Sequence, residues 1–371
     1  MQPVRAALDA TSLYGPRTGI GRFTGALLTE LGARPDVDVR AYAVTWRGHE
    51  DLGSLLPAGI AASKGRMAAA PLRALWRRTD HPRIERWTGS VDVVHGPNYV
   101  VPPARAARVA SVHDLTFIHH PEYCTADVLQ YPDLLRRQIS TGAWIHTDST
   151  FVRDEVVTML GADPERVVAV PLGVTAPPSL DPARGHRLAG TGSYLLALGT
   201  IEPRKNLPLL VEAFDELAAA APDLRLVVAG PDGWGVEAFD AAVARATHRD
   251  RVVRLGFVAE ADRGDLLAGA SVVAVPSHYE GFGLTAAEGM LAGAPVVASD
   301  AGSHPEVIGD AGLLVPAGDR DALVAALHRV LTDQTMADEL RDRGRARAER
   351  FSWAATATGI VELWRRAIDA R

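Results

Sequence analysis

Short apolar runs alternate with longer helical stretches along most of the chain, and this alternation constrains the fold more than any other feature. In the first half, strands are predicted at residues 4–8, 37–44, 91–94 and 109–112. Between the first two, the stretch 20–31 repeats apolar residues at helical spacing. Strands that are apolar on both faces and separated by helices are typical of parallel sheets covered by helices on both sides. The pattern therefore predicts an α/β fold.

A break in the alternation divides the chain into two halves of similar size. The segment 171–192 is rich in proline and glycine and has no sustained periodicity. The strands predicted after it are 194–198, 224–229, 252–255, 272–275 and 295–298. We expect one domain at 1–172, a second at 173–352, and an amphipathic helix at 353–371 that packs back on the first domain. Ligands of open parallel sheets bind at the carboxyl ends of the strands, so we expect the site in the cleft across which the domains face each other.

Composition excludes several classes of protein. With 47% hydrophobic and 23% charged residues, the chain has the balance of a globular enzyme with a sizeable core. The net charge of −6, with basic and acidic residues intermixed, argues against a nucleic-acid-binding protein. The single cysteine, Cys124, cannot form an internal disulfide. Because neither a signal peptide nor an uncharged apolar run of about 18 residues is recognisable, we expect a cytoplasmic location.

The segment 276–290, PSHYEGFGLTAAEGM, holds the most informative residues. Gly281 and Gly283 allow close approach of a ligand, and the free N–H groups at the start of the following helix favour phosphate. Glu280 and Glu288 add two carboxylates, which accept hydrogen bonds from hydroxyl groups. Two glutamates eight residues apart are common by chance. In a glycine loop at the start of a helix they indicate a sugar-nucleotide site.

Three stretches of the chain resemble one known family. EGFGLTAAEGMLAGAPVVAS, residues 280–299, resembles the E-x7-E motif of the retaining glycosyltransferases of family 4. AGSHPEVIGDAGLLVPAGD, residues 301–319, and GTIEPRKNLPLLVEAF, residues 199–214, are similar to the same family. The likeness implies a GT-B fold of two Rossmann-like, doubly wound parallel-sheet domains. The N-terminal domain would take the acceptor and the C-terminal domain the nucleotide sugar.

The resemblance also implies roles for residues of the second domain. Arg204 and Lys205, in the loop that begins at Gly199, would grip the donor diphosphate and neutralise it as it leaves. Glu280 would hold the sugar hydroxyls, and Glu288 would hold the ribose. The other donor contacts would be Gly281, Phe282, Gly283, Leu284, Arg254, Phe257 and Val258. With two cations at the leaving group no divalent metal is expected, and no carboxylate pair or histidine spacing indicates a metal site.

A glycine-rich run also follows the first strand of the first domain. Its spacing, G-x-G-x-x-x-G from Gly19, is one residue longer than the dinucleotide-binding fingerprint. No acidic residue ends the second strand, so a nicotinamide oxidoreductase is the less favoured interpretation. By the resemblance, Gly19 and Gly21 would lie beside the donor phosphates and the acceptor.

His113 and Asp114 follow the predicted strand 109–112, at its carboxyl end. A lone histidine is more often structural than catalytic, but the family uses one at this position to touch the donor sugar. The resemblance therefore implies that role for His113. Asp114, Arg153 and Asn98 are candidate contacts of the acceptor.

Two segments of the first domain indicate which sugar the donor carries. The segments HGPNYVVPP, 95–103, and HDLTF, 113–117, look like those of family 4 mannosyltransferases from high-GC bacteria. We therefore expect transfer of mannose from GDP-mannose to a saccharide or lipid-linked acceptor. The alternatives are a hexosyltransferase that uses a UDP-sugar and a catalytically silent subunit that binds a sugar nucleotide.

One basic segment could contact a membrane. Residues 64–87 hold seven basic and two acidic side chains, with Trp76 and Trp87 interleaved. Relatives that act on lipid-linked acceptors dock on anionic membranes through such a patch. The other interpretation is an ordinary solvated basic helix. The first would add peripheral contact with the inner face of the membrane to a cytoplasmic location.

Overall fold

The buried β-rich runs become parallel strands of two separate sheets in the computed structural model, which describes residues 2–15 and 19–371. The chain divides into one unit of residues 1–173 with 353–371 and a second unit of residues 174–352. Each unit carries its own sheet, and every strand pairing in both sheets is parallel. The predicted α/β class with two parallel sheets is confirmed.

The first unit has a sheet in the order β3-β2-β1-β4-β5-β6-β7. Its strands are β1 Val4–Asp9, β2 Val37–Tyr42, β3 Ala61–Ala62, β4 Val93–Gly96, β5 Ala107–Val112, β6 Trp144–Thr147 and β7 Val167–Ala169. Its helices are α1 Gly19–Gly32, α2 Leu52–Leu55, α3 Ala69–Trp76, α4 Glu85–Thr88, α5 Thr116–His119, α6 Tyr131–Ser140 and α7 Thr150–Leu160. The strand order reverses at β1 and β4, so loops at their carboxyl ends diverge and leave room for a ligand.

The second unit has a sheet in the order β10-β9-β8-β11-β12-β13. Its strands are β8 Tyr194–Leu198, β9 Arg225–Ala229, β10 Val252–Gly256, β11 Val272–Val275, β12 Val296–Ser299 and β13 Leu313–Val315. Its helices are α8 Pro182–Ala189, α9 Leu207–Ala220, α10 Val236–Arg245, α11 Glu260–Gly269, α12 Leu284–Ala292, α13 His304–Ile308, α14 Arg320–Thr332 and α15 Gln334–Ala348. Here the order reverses at β8 and β11, and the loops that follow these strands carry Gly199 and Glu280.

Helices cover both faces of the second sheet. Successive side chains of a strand point to opposite faces, so each strand contacts helices on both sides. Val272 and Ala274 of β11 belong to the apolar core that α9, α10 and α14 share. Val273, between them, faces α12, where a Cβ on Gly289 would lie only 3.3 Å from its side chain. A glycine at that position lets α12 lie close to the sheet, and this sets where α12 begins.

The C-terminal helix α16, Trp353–Asp369, belongs to the first unit. Its buried face includes Trp364, which has no solvent exposure. Thr356 donates a hydrogen bond to Pro171 O (2.7 Å), and Arg365 forms an ion pair with Asp36 (2.7 Å). These contacts fix the last helix against the first sheet.

Four strands of the structure are absent from the sequence-based assignment. β3 has two residues, and β7 and β13 have three each, which is too short for a periodic signal. β6 has the sequence WIHT, in which buried His146 and Thr147 replace the apolar residues that usually indicate a central strand. The polar half of β6 has a structural reason, because its side chains join a buried hydrogen-bonded chain.

Candidate active site

The loop after β8 is shaped so that Lys205 can fold back over it. Gly199 has φ +114°, and a Cβ there would lie 2.9 Å from Lys205 Cε and 3.1 Å from Nζ. A single 3-10 turn at Pro203–Lys205 follows, and α9 begins directly after Asn206. Glycine at 199 is therefore required both for the backbone angle and for the lysine side chain.

The loop after β11 is tied to the loop after β8 through Arg204. The His278 N–H donates to Arg204 O (2.8 Å), and Arg204 Nη1 donates to Tyr279 O (2.8 Å). These hydrogen bonds join the loops that follow β8 and β11 at the reversal point of the sheet. This is the position where open parallel sheets bind ligands.

The Glu280 carboxylate lies at the centre of this structure. Its Oε2 forms an ion pair with Arg204 Nη1 (2.8 Å), and its Oε1 accepts from Ser277 Oγ (2.9 Å) with Lys205 Nζ at 3.9 Å. Only 12% of the Glu280 side chain is exposed, and the two cations are similarly buried. Glu202 Oε2 lies 3.6 Å from Arg204 Nη2, so the largely buried cluster combines the two cations with Glu280 and a second carboxylate.

These charges determine the protonation states. Burial on its own would raise the pKa of Glu280, but the nearby charges of Arg204, Lys205 and His304 outweigh it and lower that pKa to about 2. Burial also lowers the pKa of Lys205, which the charge of Glu280 opposes. Glu280 is therefore ionised at neutral pH, and it can only accept hydrogen bonds.

The segment 302–304 clamps the Glu280 loop from behind. Ser303 donates to Glu280 O through its backbone N–H (3.0 Å) and its hydroxyl (3.2 Å). Gly302 has φ +63°, and a Cβ there would collide with Glu280 O. The buried His304 donates from Nδ1 to Ser299 O (2.8 Å), and its ring packs where a Cβ of Gly283 would lie 2.7 Å away. This clamp, to which sequence analysis gave no role, fixes the carboxylate and the start of α12.

The start of α12 lies next to this carboxylate in the chain. Gly283, at φ +89°, precedes Leu284, the first residue of the helix. Phe282 turns its ring inward and packs edge-on against Phe351 at 5.4 Å, so only its backbone is placed to contact a ligand. Gly281 is also buried. The predicted contacts Gly281, Phe282, Gly283 and Leu284 thus form one continuous backbone segment.

Glu288 lies one turn further into α12 and has a partner that sequence analysis missed. Arg263 of α11 donates from Nη1 to Glu288 Oε1 (2.8 Å), and its Nη2 contacts Oε2. Glu288 is 6% exposed. Arg263 is 25 residues away in the chain, and nothing in the local pattern distinguishes it from other surface arginines. The ribose contact of Glu288 stays a prediction.

The remaining predicted donor residues of this unit, Arg254, Phe257 and Val258, lie in β10 and directly after it, beside the turn that follows β9. The Gly230 N–H donates to Gly256 O (2.7 Å), and Gly230 packs directly on the Gly199 carbonyl. Arg254 forms ion pairs with Asp232 and with Asp240, the latter at 3.0 Å. The structure therefore brings the turns after β8, β9 and β10 together at one edge of the sheet.

Two aromatic rings are exposed at this edge. Phe257 is 80% exposed and Trp234 is 57% exposed, while Val258 is half-buried. An exposed ring of this size at the ligand-binding edge of a sheet offers an apolar face for a planar group. The predicted donor contacts of Phe257 and Val258 stay predictions.

In the first unit, His113 follows β5 and is held on both sides. Its Nδ1 lies 2.8 Å from Asp148 Oδ2, and its Nε2 lies 2.8 Å from Pro97 O. Asp148 follows β6 and is 2% exposed, and sequence analysis did not single it out. The only available signal was its position directly after a strand, which many surface residues share.

The candidate acceptor residues are more dispersed within the first unit. Asp114 accepts from the Thr116 N–H (2.9 Å) and thereby orders the start of α5. Asn98 is exposed in the loop after β4, and Arg153 on α7 pairs with its neighbour Asp154 (2.7 Å). Gly19 begins α1, with Gly21 in its first turn. Residues 16–18 of the glycine-rich run lie outside the described residues. The structure does not gather these residues into one cluster as it does around Glu280.

Two features are absent from the part of the chain that the structure describes, a metal-binding cluster and a membrane-spanning helix. Within residues 2–15 and 19–371, no group of three or more His, Cys, Asp or Glu side chains is arranged to hold a metal ion. None of the helices in those residues is both long enough and apolar enough to span a bilayer.

Known proteins resemble this chain over most of its length. The profile of the family described as Glycosyl transferases group 1 matches residues 183–347. O-antigen chain mannosyltransferase B of Escherichia coli is 31% identical over 372 residues, which cover 94% of this chain and 96% of that protein. D-inositol 3-phosphate glycosyltransferase of Kineococcus radiotolerans is 32% identical over 349 residues, with 85% and 78% covered. Among solved structures, sucrose-phosphate synthase of Thermosynechococcus elongatus has a TM-score of 0.76 at 19% identity, with 99% and 100% covered.

Proposed function

Because this chain belongs to the glycosyl transferases group 1 family, we propose that it moves a hexose from a nucleotide sugar to a saccharide or lipid-linked acceptor, with retention at the anomeric carbon. Family membership makes the chain a glycosyltransferase, and its two parallel-sheet units have GT-B structural relatives. The donor, the acceptor and the stereochemistry are the proposed parts.

The observation that carries the proposal is the Arg204, Lys205 and Glu280 cluster at the reversal point of the second sheet. A sugar diphosphate presents two kinds of group, anionic phosphate oxygens and neutral hydroxyls. The cluster presents the complement of both, two cations for the phosphates and an ionised carboxylate for the hydroxyls. The backbone N–H groups at the start of α12 add a further phosphate-binding element.

Transfer breaks the bond between the anomeric carbon and the diphosphate oxygen, and negative charge grows on that oxygen. Arg204 and Lys205 are largely buried, so they would stabilise this charge more strongly than exposed cations could. Because two fixed cations offset the charge, the proposed reaction needs no divalent metal.

Glu280 would hold the sugar and would not attack it. Its Oε2 is engaged by Arg204 and its Oε1 by Ser277, with Lys205 nearby, and these contacts fix the carboxylate in one orientation. A carboxylate fixed in this way still has lone pairs for hydroxyl donors. We therefore assign it to orienting the sugar.

The proposed step is a displacement on one face of the sugar. The acceptor oxygen forms a bond to the anomeric carbon on the face from which the diphosphate departs. The acceptor proton passes to the departing phosphate oxygen, and the products are the glycoside and a nucleoside diphosphate. The side chains contribute position and charge in this step.

GDP-mannose is the first choice of donor. The O-antigen relative is a mannosyltransferase by name and matches nearly the whole chain, and segments 95–103 and 113–117 look like those of mannosyltransferases. A UDP-sugar is the alternative. We place the reaction in the cytoplasm, where the single cysteine would stay reduced.

A panel of thermal-shift measurements tests which nucleotide sugar is the donor. GDP-mannose, GDP, UDP-glucose, UDP and the parent nucleosides are compared with EDTA present. We expect GDP-mannose to stabilise the chain most, by about 2.7 kcal/mol at a hundredfold excess over its Kd. A larger shift with UDP-glucose would replace GDP-mannose as donor. Absence of a shift with every sugar nucleotide would contradict the proposal. Binding without donor hydrolysis or transfer would identify a silent subunit.

Membrane contact through the segment 64–87 is a separate prediction. Lys64, Arg66 and Leu75 are exposed, whereas Trp76 and Trp87 donate their indole N–H groups to backbone carbonyls of the same unit. Lys64 is exposed to anionic lipid, whereas Arg66 forms an ion pair with Glu50 (2.7 Å) that lipid would have to replace, and the two tryptophans are partly committed to the fold. We expect flotation with vesicles that contain anionic phospholipid and none with neutral vesicles at low salt. No flotation with anionic vesicles would leave the segment as a solvated basic surface.

A further inference from the structure

A chain of buried polar side chains crosses the first unit behind the carboxyl ends of β4, β5 and β6. Trp364 Nε1 donates to His95 Nδ1 (3.2 Å), and His95 Nε2 lies 2.9 Å from Ser111 Oγ. Ser111 Oγ lies 2.8 Å from His146 Nδ1, and His146 Nε2 lies 3.0 Å from Val170 O. The side chains of His95, Ser111 and His146 have no solvent exposure. Every proton in this chain must therefore be placed by its neighbours.

One arrangement of protons satisfies all of these contacts. An indole N–H only donates, so His95 Nδ1 accepts and His95 Nε2 carries the hydrogen that Ser111 Oγ accepts. The Ser111 hydroxyl then donates to His146 Nδ1, and the His146 Nε2–H donates to Val170 O. Both histidines are neutral in this arrangement. Burial lowers the pKa of both, that of His95 well below its ordinary value.

The ring nitrogens of His113 contact other residues, so its environment differs from that of His95 and His146. Its two ring nitrogens face Asp148 Oδ2 and Pro97 O, each at 2.8 Å. A carbonyl oxygen only accepts, and so does an ionised carboxylate. With Asp148 ionised, both nitrogens of His113 must carry hydrogens. The competing arrangement puts one proton on Asp148 and leaves the ring neutral.

We propose that Asp148 is a positioning residue that holds His113 as an imidazolium cation, so that His113 serves the reaction as a fixed positive charge and never as a proton acceptor. The charge state follows from the geometry of this unit alone. The role in the reaction rests on the proposed function, in which His113 touches the donor sugar.

Ordinary acidities favour the proton on the histidine. A free imidazole binds a proton about two to three pKa units more tightly than a free aspartate does. Burial lowers the pKa of His113, but the charge and hydrogen bond of Asp148 and the carbonyl of Pro97 outweigh it, and the pKa is raised. The titratable groups that face His113 are Asp148, Asp114, His95, His146 and Tyr99. Because the two histidines are neutral, the carboxylates dominate this field.

Aromatic packing prevents the ring from turning to another partner. Phe23 meets the His113 ring edge-on with centroids 5.2 Å apart, and Tyr99 does so at 5.7 Å. Tyr99 has φ +59°, an unfavourable backbone angle for a tyrosine. It is kept there by its N–H donating to Ser111 O (2.9 Å) and by Gln138 donating to its carbonyl (3.1 Å). These hydrogen bonds hold Tyr99 in its strained backbone conformation, in which its ring packs against His113.

The first arm of the test is the long-range 1H–15N spectrum of the 15N-histidine-labelled full chain. At pH 7 a solvent-exposed histidine is mostly neutral. We expect His113 to show two N–H nitrogens at that pH, and His95 and His146 to show one each, at Nε2. The signal is assigned with His113→Gln, or by contacts of the ring protons with Phe23 and Tyr99 if that variant fails to fold. A neutral His113 at pH 7 would overturn the proposal without any reference to activity.

The second arm compares Asp148→Asn with Asp133→Asn, a control whose side chain is 95% exposed. We expect the His113 titration midpoint to fall by at least about one pH unit in Asp148→Asn, a tenfold loss of proton affinity, and to stay in place in Asp133→Asn. Since a lowered midpoint removes the cation as pH rises, kcat of Asp148→Asn should fall relative to wild type with increasing pH, with KM little changed. An unmoved midpoint would overturn the role of Asp148. A moved midpoint with an unchanged kcat profile would leave the charge state standing and remove His113 from the proposed reaction.

Discussion

Lys205→Met is expected to lower kcat about 10²- to 10³-fold, a loss typical of removing one preorganised group that stabilises developing charge. The expected loss follows from the surroundings of Lys205. Lys205 Nζ is largely buried beside Glu280, and Gly199 leaves space for its side chain. Methionine keeps the length and apolar character of the side chain but removes the charge, so the leaving diphosphate would lose one of its two cations. The measurement is the rate of nucleoside diphosphate release from the donor, at saturating acceptor and with EDTA present.

The matched control is Arg249→Ala, which removes an exposed cation of the same unit. It should keep the wild-type rate, because a screened surface charge contributes little at a buried site. Turnover of Lys205→Met within threefold of wild type, with the variant folded, would remove Lys205 from the reaction.

Glu280→Gln is expected to lower kcat about 10²-fold and to reduce the stability of the fold by about 3 kcal/mol, since it removes the carboxylate that pairs with the buried Arg204 at 2.8 Å, while Glu202 lies farther away at 3.6 Å. The amide keeps the shape of the side chain, but one of its two oxygens becomes an NH₂ donor, which would face either Arg204 or Ser277 where an acceptor is required. Steady-state kinetics and urea unfolding measure the two effects. Glu237→Gln, on the exposed surface of α10, should change neither.

The pH dependence of the same residue has a defined sign. The pKa of Glu280 is lowered to about 2, so its stabilising contribution is complete above the ordinary glutamate range and is lost only as pH falls towards that value. Glu280 should therefore not produce the acidic limb of a rate profile between pH 5 and 8. Wild-type activity in Glu280→Gln, or a Glu280 titration near neutrality, would contradict its assignment.

Local chemistry made much of the second unit predictable. The glycines after β8 and β11 mark backbone angles that few other residues adopt, with φ +114° at Gly199 and +89° at Gly283. The basic pair Arg204 and Lys205 follows the first of these turns within a few residues. Signals of this kind lie in short stretches of sequence, and family resemblance strengthens them.

The partners that complete the clusters were not predictable because they come from distant parts of the chain. Arg263 meets Glu288 across 25 residues, Ser303 meets Glu280 across 23, and Asp148 meets His113 across 35. Each of these residues is an ordinary polar side chain in its own segment. The sheet order brings the last two pairs together, because it places β12 beside β11 and β6 beside β5. Arg263 meets Glu288 because α11 packs against α12.

Partners from distant parts of the chain also explain why the hydrophobic pattern did not predict β6. His146 is buried in β6 because Ser111 of β5 and the Val170 carbonyl satisfy both of its ring nitrogens. A polar residue with such partners is as compatible with a sheet interior as an apolar one. Periodicity alone cannot distinguish it from a polar residue in a loop.

A crystal structure of the chain with GDP bound tests the central assignment most directly. We expect diphosphate oxygens within hydrogen-bonding distance, about 3 Å, of Arg204 and Lys205, with the terminal phosphate at the N–H groups that begin α12 and the Glu280 carboxylate free to face a sugar. A diphosphate bound elsewhere, with no contact to Arg204 or Lys205, would contradict the account.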